Sequence, residues 1–314
     1  MNMTAITNPH DKKHGGIPQT NGEKAFHIFC NVLMAALILI TAYPMLYVVF
    51  CSLSDPVEFA LAQGQGMMWR PAGFSLEGYR SVLRMGSIWT GYKNTLIYVT
   101  LGTLISMALT ISGAFIFSHK DFMLKGPLMR LAVFTMYFSG GMIPTYLTVQ
   151  QMGLLNTYWA VILPGCVSVY NLIVLRTAFQ GIPSALMESA HIDGAGDWVT
   201  LTRIILPLST ASLATITLFY LVTYWGAWYN AMVYLQSSRS MYPLQLYLRE
   251  ILLKDDTVET YMENLAENNF ANNYLLKEVI KYCTIIVSTL PILLVYPFLQ
   301  KYFVKGVMVG AIKE

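Results

Sequence analysis

The chain has 314 residues, of which 55% are hydrophobic and only 12% carry an acidic or basic side chain. Soluble domains usually contain about 25% charged residues, so this composition, with a mean hydropathy of +0.50, excludes an ordinary water-soluble globule. The net charge of +3 is too small to indicate a nucleic-acid partner.

Five long blocks lack Asp, Glu, Lys, Arg and His, and together they make up nearly half of the chain. In chain order they are Ile28–Ser54, Thr95–Ser118, Leu131–Leu175, Ile204–Ser238 and Tyr282–Gln300. A helix of about 20 apolar residues crosses a hydrocarbon core of about 30 Å. Four blocks hold one span each, and the third holds two because Gly153 and Asn156 interrupt it.

The sequence therefore predicts an all-α polytopic membrane protein with six transmembrane helices. The predicted spans are Phe26–Leu53, Thr95–Ser118, Leu131–Met152, Tyr158–Leu175, Leu208–Leu235 and Val279–Phe303. The predicted organisation is an N-terminal tail (1–25), a first span (26–53), an extracytoplasmic loop (54–94), a core domain (95–304) that contains a cytoplasmic segment (181–207) and an extracytoplasmic loop (236–278), and a C-terminal tail (305–314).

Basic residues indicate which side of the membrane each loop occupies. The short loop His119–Arg130 carries Lys120 and Lys125, and short basic loops stay in the cytoplasm. We therefore predict that both termini are cytoplasmic. The polar N-terminal tail is followed by a long apolar stretch without a cleavage signal, which predicts a retained anchor. The acidic run between Asp255 and Glu267 is either a solvated cap or a surface for an extracellular partner.

The charge-free blocks leave no ionisable residue in the middle of any predicted span. Such residues are usually kept for proton or ion coupling, so a proton-driven carrier, a voltage sensor and a cation pump are disfavoured. The sequence also contains no GxxxxGK[ST], HExxH or GxSxG motif. We predict a transport subunit without catalytic residues, without a metal site and without a cofactor of its own, driven by another polypeptide.

The fifth predicted span ends in an aromatic run from Phe219 to Asn230. Tyr220 and Tyr224 are four residues apart, and Trp225 and Trp228 are three apart, so each pair would share a helix face. One interpretation is an aromatic belt at the outer interface. The other is a sugar path, in which rings pack on pyranose faces and the hydroxyls and Asn230 bind sugar hydroxyls.

Two further places in the spans are candidates for that path. In the third span, Gly141 and Pro144 interrupt the helix, and broken helices are tolerated where they line a cavity or pack on protein. In the fourth span, Asn171 either contributes to the path or makes an interhelical hydrogen bond.

The cytoplasmic segment after Arg176 predicts a short, well-delimited helix. Ser184 can cap it, residues 185–193 can form it, and Gly194 can end it in a left-handed conformation. One face of this helix would carry Leu186, Ala190 and Asp193. It is either a docking helix that inserts into a groove of a soluble partner or an amphipathic connector at the interface.

This segment resembles the EAA signature of the membrane subunits of binding-protein-dependent ABC importers. The positions that match are Glu188, Ala190, Gly194, Ile204, Leu206 and Pro207. Asp193-Gly194-Ala195 is similar to the sugar-transporter form of the signature, whereas Ser189 stands where the family has Ala. The stretches Phe138–Tyr146, Gly153–Thr157 and Lys305–Lys313 resemble the MalG-like, and more closely the LplC/YtcP-like, branch of carbohydrate permeases.

The resemblance implies an ABC type I importer permease (MetI-like) fold in the bacterial cytoplasmic membrane. It implies four partners: a second permease subunit, two ATPase subunits that bind ATP and magnesium, and an extracytoplasmic solute-binding protein. The residues implied to couple to the ATPases are Glu188, Ala190, Asp193, Gly194 and Pro207, with Gly310 and Lys313 in the tail. Glu314 stands where the family often has a small residue.

The function expected from this resemblance is ATP-driven import of oligosaccharides. The alternatives are an ABC importer permease for a non-sugar solute and, in a different class, a membrane-embedded enzyme or scaffold. The uncharged, aromatic-rich spans favour a neutral or hydroxyl-rich solute.

Overall fold

The computed structural model describes residues 21–62, 68–119, 122–253 and 270–311, with the side chains of 270–274, 296 and 298–311 left aside. Every regular element in these ranges is helical. The helices are α1 (Asn21–Ser52), α2 (Pro56–Ala62), α3 (Glu77–Arg84), α4 (Gly86–Ser118), α5 (Lys125–Tyr137), α6 (Met142–Gln151), α7 (Tyr158–Ile162), α8 (Val169–Gln180), α9 (Ser184–Ile192), α10 (Asp197–Thr200), α11 (Leu206–Leu208), α12 (Thr210–Trp225), α13 (Trp228–Tyr234), α14 (Leu244–Leu253) and α15 (Phe270–Ala311).

Three of these helices are long and apolar enough to cross a membrane unbroken: α1, α4 and the part of α15 over Leu275–Val295. Two bent pairs raise the number of candidate spans within the described residues to five. One pair joins α7 to α8 at 52°, and the other joins the segment Asp197–Leu208 to α12 at 86°. The prediction of an all-helical chain is confirmed, and the predicted third span is divided between α5 and α6.

The helix α4 is the centre of the bundle, because α8 and α12 both pack along it. Small and hydroxylated residues on α4, such as Gly102, Ser106 and Thr110, allow this close approach. The long helix α15 packs against α12 and α1. No part of the most apolar window of α1 is buried within this chain, so this face is left for lipid or for another subunit.

Two of the four apolar clusters among the described residues join the most helices. The first lies where the end of α1 and the start of α4 meet α2, α3, α14 and α15, and it includes Cys51, Phe59, Ile88, Ile251 and Val279. The second lies where the end of α4 meets α8, α12 and the segment after α10, and it includes Phe115, Phe179, Leu201, Ile205 and Ile216. Burial of such side chains stabilises a helical bundle by roughly 1.5–3 kcal/mol each in water, and packing replaces part of this term in lipid.

The break between α5 and α6 lies where the sequence predicted it. Gly141 adopts φ 84° immediately before α6 begins, which costs glycine little. Pro144 lies in the first turn of α6, where its missing N–H removes no helical hydrogen bond. The predicted turn at Gly153 and Asn156 is also confirmed, since both residues have positive φ.

The prediction of one continuous helix over Leu208–Leu235 is wrong. The chain breaks at Gly226 and Ala227, which separate α12 from α13. The Trp228 N–H donates to the Gly226 carbonyl at 2.8 Å, two residues back, so the chain makes a tight turn there. A glycine in an otherwise apolar run gave this break only a weak signal in the sequence.

Buried Asn94 ties α14 and α7 to α4. Its Nδ2 donates to the carbonyls of Ser240 and Tyr242 at 2.7 and 3.0 Å, and its Oδ1 accepts from the Tyr158 hydroxyl at 2.9 Å. Next to it, Thr95 Oγ1 accepts from the first amide of α14, Leu244 N, at 2.9 Å. The segment that leads into α14 is therefore fixed against the start of α4.

Candidate functional site

The helix α9 begins at Ser184, and its N-terminal cap residue is Pro183. Ser184 therefore does not cap the helix from outside, as the sequence predicted, but forms its first residue. The reason is that Pro183 already has extended backbone angles (φ −56°, ψ 127°) and supplies the carbonyl that accepts from Leu186 N at 3.1 Å.

Gly194 ends α9 in the predicted left-handed conformation, with φ 79°. The Gly194 N–H donates to the His191 carbonyl at 3.0 Å, and the Ala195 N–H donates to the Ala190 carbonyl at 2.9 Å. These two hydrogen bonds form a Schellman motif. A residue with a Cβ is strained at such a φ, so the geometry explains why glycine occupies this position.

The helix α9 stands on the bundle with most of its surface exposed. Ala190 is the one α9 residue that is buried, with 7% exposure. Ile182 and Met187 pack against the second apolar cluster. Glu188, Asp193 and Leu186 are exposed, so the predicted common face of Leu186, Ala190 and Asp193 divides between the chain interior and solvent. Ala190 anchors α9, whereas Glu188 and Asp193 are accessible to a partner.

After α9 the chain continues as one bent segment into α12. Residues Leu201–Ile205 form a π-helical turn, in which the Leu206 N–H donates to the Leu201 carbonyl. Pro207 follows, exposed, at the 86° bend before α12. Pro207 has no N–H to donate, and π turns often coincide with functional sites. Ile192 and Trp198, on either side of Gly194 in the sequence, are exposed at 86% and 74%.

The tail residues implied to contact the ATPases are described only in part. Gly310 lies near the end of α15, and Lys313 lies outside the described residues. The acidic run between Asp255 and Glu267 and the N-terminal residues before Asn21 also lie outside them.

Tyr220 and Tyr224 lie inside the bundle, where their hydroxyl groups are bonded by the chain itself. The Tyr220 hydroxyl and Thr110 Oγ1 are 2.7 Å apart, and the Tyr224 hydroxyl and Ser106 Oγ are 2.9 Å apart. Both tyrosines are at most 3% exposed. Both hydroxyls have a structural role, because they join α12 to α4. This role replaces the predicted sugar contact of Tyr220, whereas Tyr224 also lines the cavity beside the α12–α13 turn.

Trp225 and Trp228 do not share a helix face, which corrects the prediction. Trp225 is the last residue of α12 and packs against the first apolar cluster. Trp228 is the first residue of α13, where its ring faces the Arg249 guanidinium at 5.0 Å. The turn at Gly226 separates them, and the i, i+3 rule applies only within one helix.

Tyr229 and Asn230, at the end of the aromatic run, line open space together with Tyr224. A cavity of about 190 Å³ lies beside the α12–α13 turn and is lined by Thr223, Gly226, Tyr229 and Asn230 among others. A second cavity of about 480 Å³ lies between α13 and α6 and is lined by Tyr229, Met142, Ile143 and Tyr146 among others. We call the two cavities together the Tyr229 groove.

Other predicted path residues occupy different places. Gly141 and Pro144 are exposed beside the Tyr229 groove, on the strongly exposed side of α5 and α6. Asn171 is buried on α8, and its backbone N–H donates to Ser168 Oγ at 3.3 Å. Tyr229 was not among the path residues predicted from the sequence. Its position beside Asn230 and after Gly226 could have indicated it as a cavity-lining residue.

Comparison with known proteins identifies the family. No protein-family model matches the chain. Over 286 residues it is 40% identical to the polygalacturonan/rhamnogalacturonan transport system permease protein YtcP of Bacillus subtilis, covering 91% of this chain and 96% of the relative. It is 36% identical over 293 residues to protein LplC of the same organism, covering 92% and 96%. The chain belongs to the permease subunits of carbohydrate ABC importers.

A solved structure agrees with this assignment. The permease matches a chain in the crystal structure of a bacterial ABC transporter involved in the import of the acidic polysaccharide alginate, with a TM-score of 0.80 and 29% identity, covering 91% of this chain and 99% of that chain. The permease is thus a transport subunit, not an enzyme, and a multi-pass inner-membrane protein. Importers of this kind combine permease, ATPase and solute-binding subunits.

Proposed function

We propose that the permease forms, with a second permease subunit, the path by which an ATP-driven importer moves oligosaccharides into the cell. The names of its relatives support a polysaccharide-derived solute, since one transports polygalacturonan or rhamnogalacturonan and the structural neighbour serves alginate import. The Tyr229 groove supports the same solute class, because it combines an exposed phenol ring with the Asn230 amide.

The proposed membrane arrangement has six spans. They are α1, α4, the broken pair α5–α6, the bent pair α7–α8, α12 with α13, and α15. The pair α5–α6 contains 13 and 10 helical residues, and 23 residues reach about 35 Å at 1.5 Å per residue. Both termini and α9 then lie in the cytoplasm, and α14 lies outside.

The observation that carries the proposal is the geometry of α9. It is a short exposed helix, anchored at Ala190 and closed by Gly194. Residues 181–183 join it to α8, and residues 193–209 join it to α12. One of the two ATPase subunits would bind its exposed surface, including Glu188 and Asp193. Because α8 and α12 both pack on α4, a displacement of α9 reaches the helices that border the Tyr229 groove.

Hydrogen bonds between helices make this displacement a movement of the bundle and not of α9 alone. The Arg176 Nε donates to the Phe117 carbonyl at 3.0 Å, so α8 is tied to the end of α4. The Tyr220 and Tyr224 hydroxyls tie α12 to α4 at Thr110 and Ser106, which lie nearer the middle of α4 than Phe117. We infer that closure of the ATPase dimer opens the groove outward and that hydrolysis returns it inward.

Reconstitution in proteoliposomes tests this function. The permease, its partner permease, the two ATPases and the binding protein are combined, and uptake of a radiolabelled oligosaccharide is measured with and without ATP. The proposal expects uptake only with ATP and only in the full complex. Solute movement by the permease alone, driven by an ion gradient, would refute it, and uptake of a non-sugar solute instead would favour the alternative cargo.

A further inference from the structure

Arg249 lies over the ring of Trp228, with its guanidinium carbon 5.0 Å from the ring centroid. Arg249 is on α14, and Trp228 opens α13. A guanidinium that lies on an aromatic face keeps its N–H groups directed outward from its edges. The contact therefore fixes the position of a positive charge without using its hydrogen-bond donors.

No carboxylate in the described part of the chain lies within 4.0 Å of the Arg249 guanidinium. The neighbouring Glu250 is directed elsewhere, since its Oε2 accepts from Arg239 Nη2 at 2.7 Å. Glu250 is also buried, whereas Arg249 is partly exposed. The positive charge of Arg249 is thus not neutralised by the acid beside it in the sequence.

The Trp228 ring lies between the Arg249 charge and Tyr229, which lines the groove. The rings of Trp228 and Tyr229 meet edge to face, with their centroids 5.6 Å apart, and Tyr229 lines both cavities of the groove. Two hydrogen bonds that Asn94 donates to carbonyls just before α14, and one that Thr95 Oγ1 accepts from the Leu244 N–H at its start, set the position of α14. Arg249 therefore stands at a fixed place, with the Trp228 ring between it and Tyr229.

We propose that Arg249, held by Trp228, binds the carboxylate of an acidic sugar unit as it enters the Tyr229 groove, and so makes the permease selective for uronate-containing oligosaccharides. The planar guanidinium matches a carboxylate in a bidentate pair. The adjacent Tyr229 ring can pack on the apolar face of the same sugar unit. This inference rests on the proposed oligosaccharide import.

The test compares uptake of an oligogalacturonide with that of its neutral methyl ester in the reconstituted complex. For each sugar, the rate of the Arg249→Gln variant is divided by the wild-type rate, which cancels the preference of the binding protein. We expect about a tenfold loss for the acidic sugar, since a charge-assisted hydrogen bond changes affinity by about this factor. The ester should change less than twofold.

Matched variants separate the carboxylate contact from other roles. Arg84→Gln, which removes an exposed arginine on α3, should leave the uptake rates of both sugars unchanged. Trp228→Leu should reduce uptake of the acidic sugar and leave uptake of the ester unchanged. Trp228→Phe keeps an aromatic face and should reduce neither. The uptake rate of Arg249→Lys for the acidic sugar should lie between the rates of the wild type and Arg249→Gln, because lysine retains the positive charge.

Three results would overturn the inference. Equal losses for both sugars would assign Arg249 to a lipid headgroup, to binding-protein docking or to folding. No loss for either sugar, or equal rates for Arg249→Lys and Arg249→Gln, would leave the carboxylate without a partner here. A wild-type complex that carries neither saccharide would instead refute the proposed function itself.

Discussion

Replacement of Gly194 tests the coupling role of α9 by a change confined to the backbone. Nothing lies within 4 Å of a Cβ built at this position, so a Cβ there meets no steric obstacle. The φ of 79° remains unfavourable for any residue that has a Cβ. The left-handed conformation costs such a residue about 1–2 kcal/mol, and β-branched valine is a poor choice for it.

A cost of about 1–2 kcal/mol changes a two-state equilibrium about 5- to 30-fold. In Gly194→Val this factor reduces the equilibrium between the formed and the broken Schellman motif at the end of α9. Its two hydrogen bonds run from Gly194 N to the His191 carbonyl and from Ala195 N to the Ala190 carbonyl. We expect sugar-stimulated ATPase activity and uptake to fall about fivefold or more, while the subunits still copurify. Gly194→Asn should retain most activity, because asparagine tolerates this conformation.

Gly196 supplies the matched control, two residues away. It has φ −74° and ψ 168°, which valine adopts without strain, and it also has open space around it. Gly196→Val should therefore leave ATPase activity and uptake close to wild type. Wild-type uptake in Gly194→Val, or equal losses in the two variants, would refute the coupling argument.

Three further predictions concern the bundle and the groove. In Gly102→Ala, the new Cβ would lie 2.6 Å from the Tyr224 ring, so we expect the free energy of unfolding, measured by thermal unfolding in detergent, to fall by about 1–3 kcal/mol. The control Gly126→Ala, with nothing within 4 Å of the new Cβ, should unfold as wild type. Equal shifts in the two variants would argue against a tight contact between α4 and α12. Tyr220→Phe removes the 2.7 Å hydrogen bond to Thr110 and should cost about 1 kcal/mol, and a double-mutant cycle with Thr110→Val that gives no coupling energy would contradict the assignment. Tyr229→Ala should raise the KM for sugar uptake about two- to tenfold, whereas Tyr229→Phe keeps the ring and should change it less; an unchanged KM in Tyr229→Ala would remove the groove from the path.

The sequence predicted the features that depend on local chemistry. Charge-free blocks gave the long helices, because a membrane helix needs apolar residues along its length. Gly141 and Gly153 marked real breaks, since both adopt positive φ. Gly194 was predicted to end α9 for the same reason. The EAA signature indicated the family, and the relatives confirmed it.

The features that depend on packing were not predictable in this way. The buried positions of Tyr220 and Tyr224 follow from hydroxyl partners on α4 that are about 110 residues away along the chain. The break at Gly226 and the 86° bend near Ser209 are set by where α12 must pack on α4 and α15. Helical periodicity assigned Trp225 and Trp228 to one face because it assumed an unbroken helix.

The inward side of Ala190 has a similar cause. Spacing alone put Leu186, Ala190 and Asp193 on one surface, but the small alanine allows α9 to approach the bundle while the other two stay exposed. The signature residues thus divide into an anchor and an accessible surface, a distinction that requires the fold.

Photocrosslinking shows directly whether an ATPase subunit binds α9. The amino acid p-benzoylphenylalanine is placed at exposed Glu188 in the assembled complex, and at exposed Trp69 on the predicted outer side as a control. We expect an ATPase adduct from position 188 that changes in yield with bound nucleotide, and none from position 69. An adduct from position 188 with the extracytoplasmic binding protein, or none with the ATPase in any nucleotide state, would contradict that expectation.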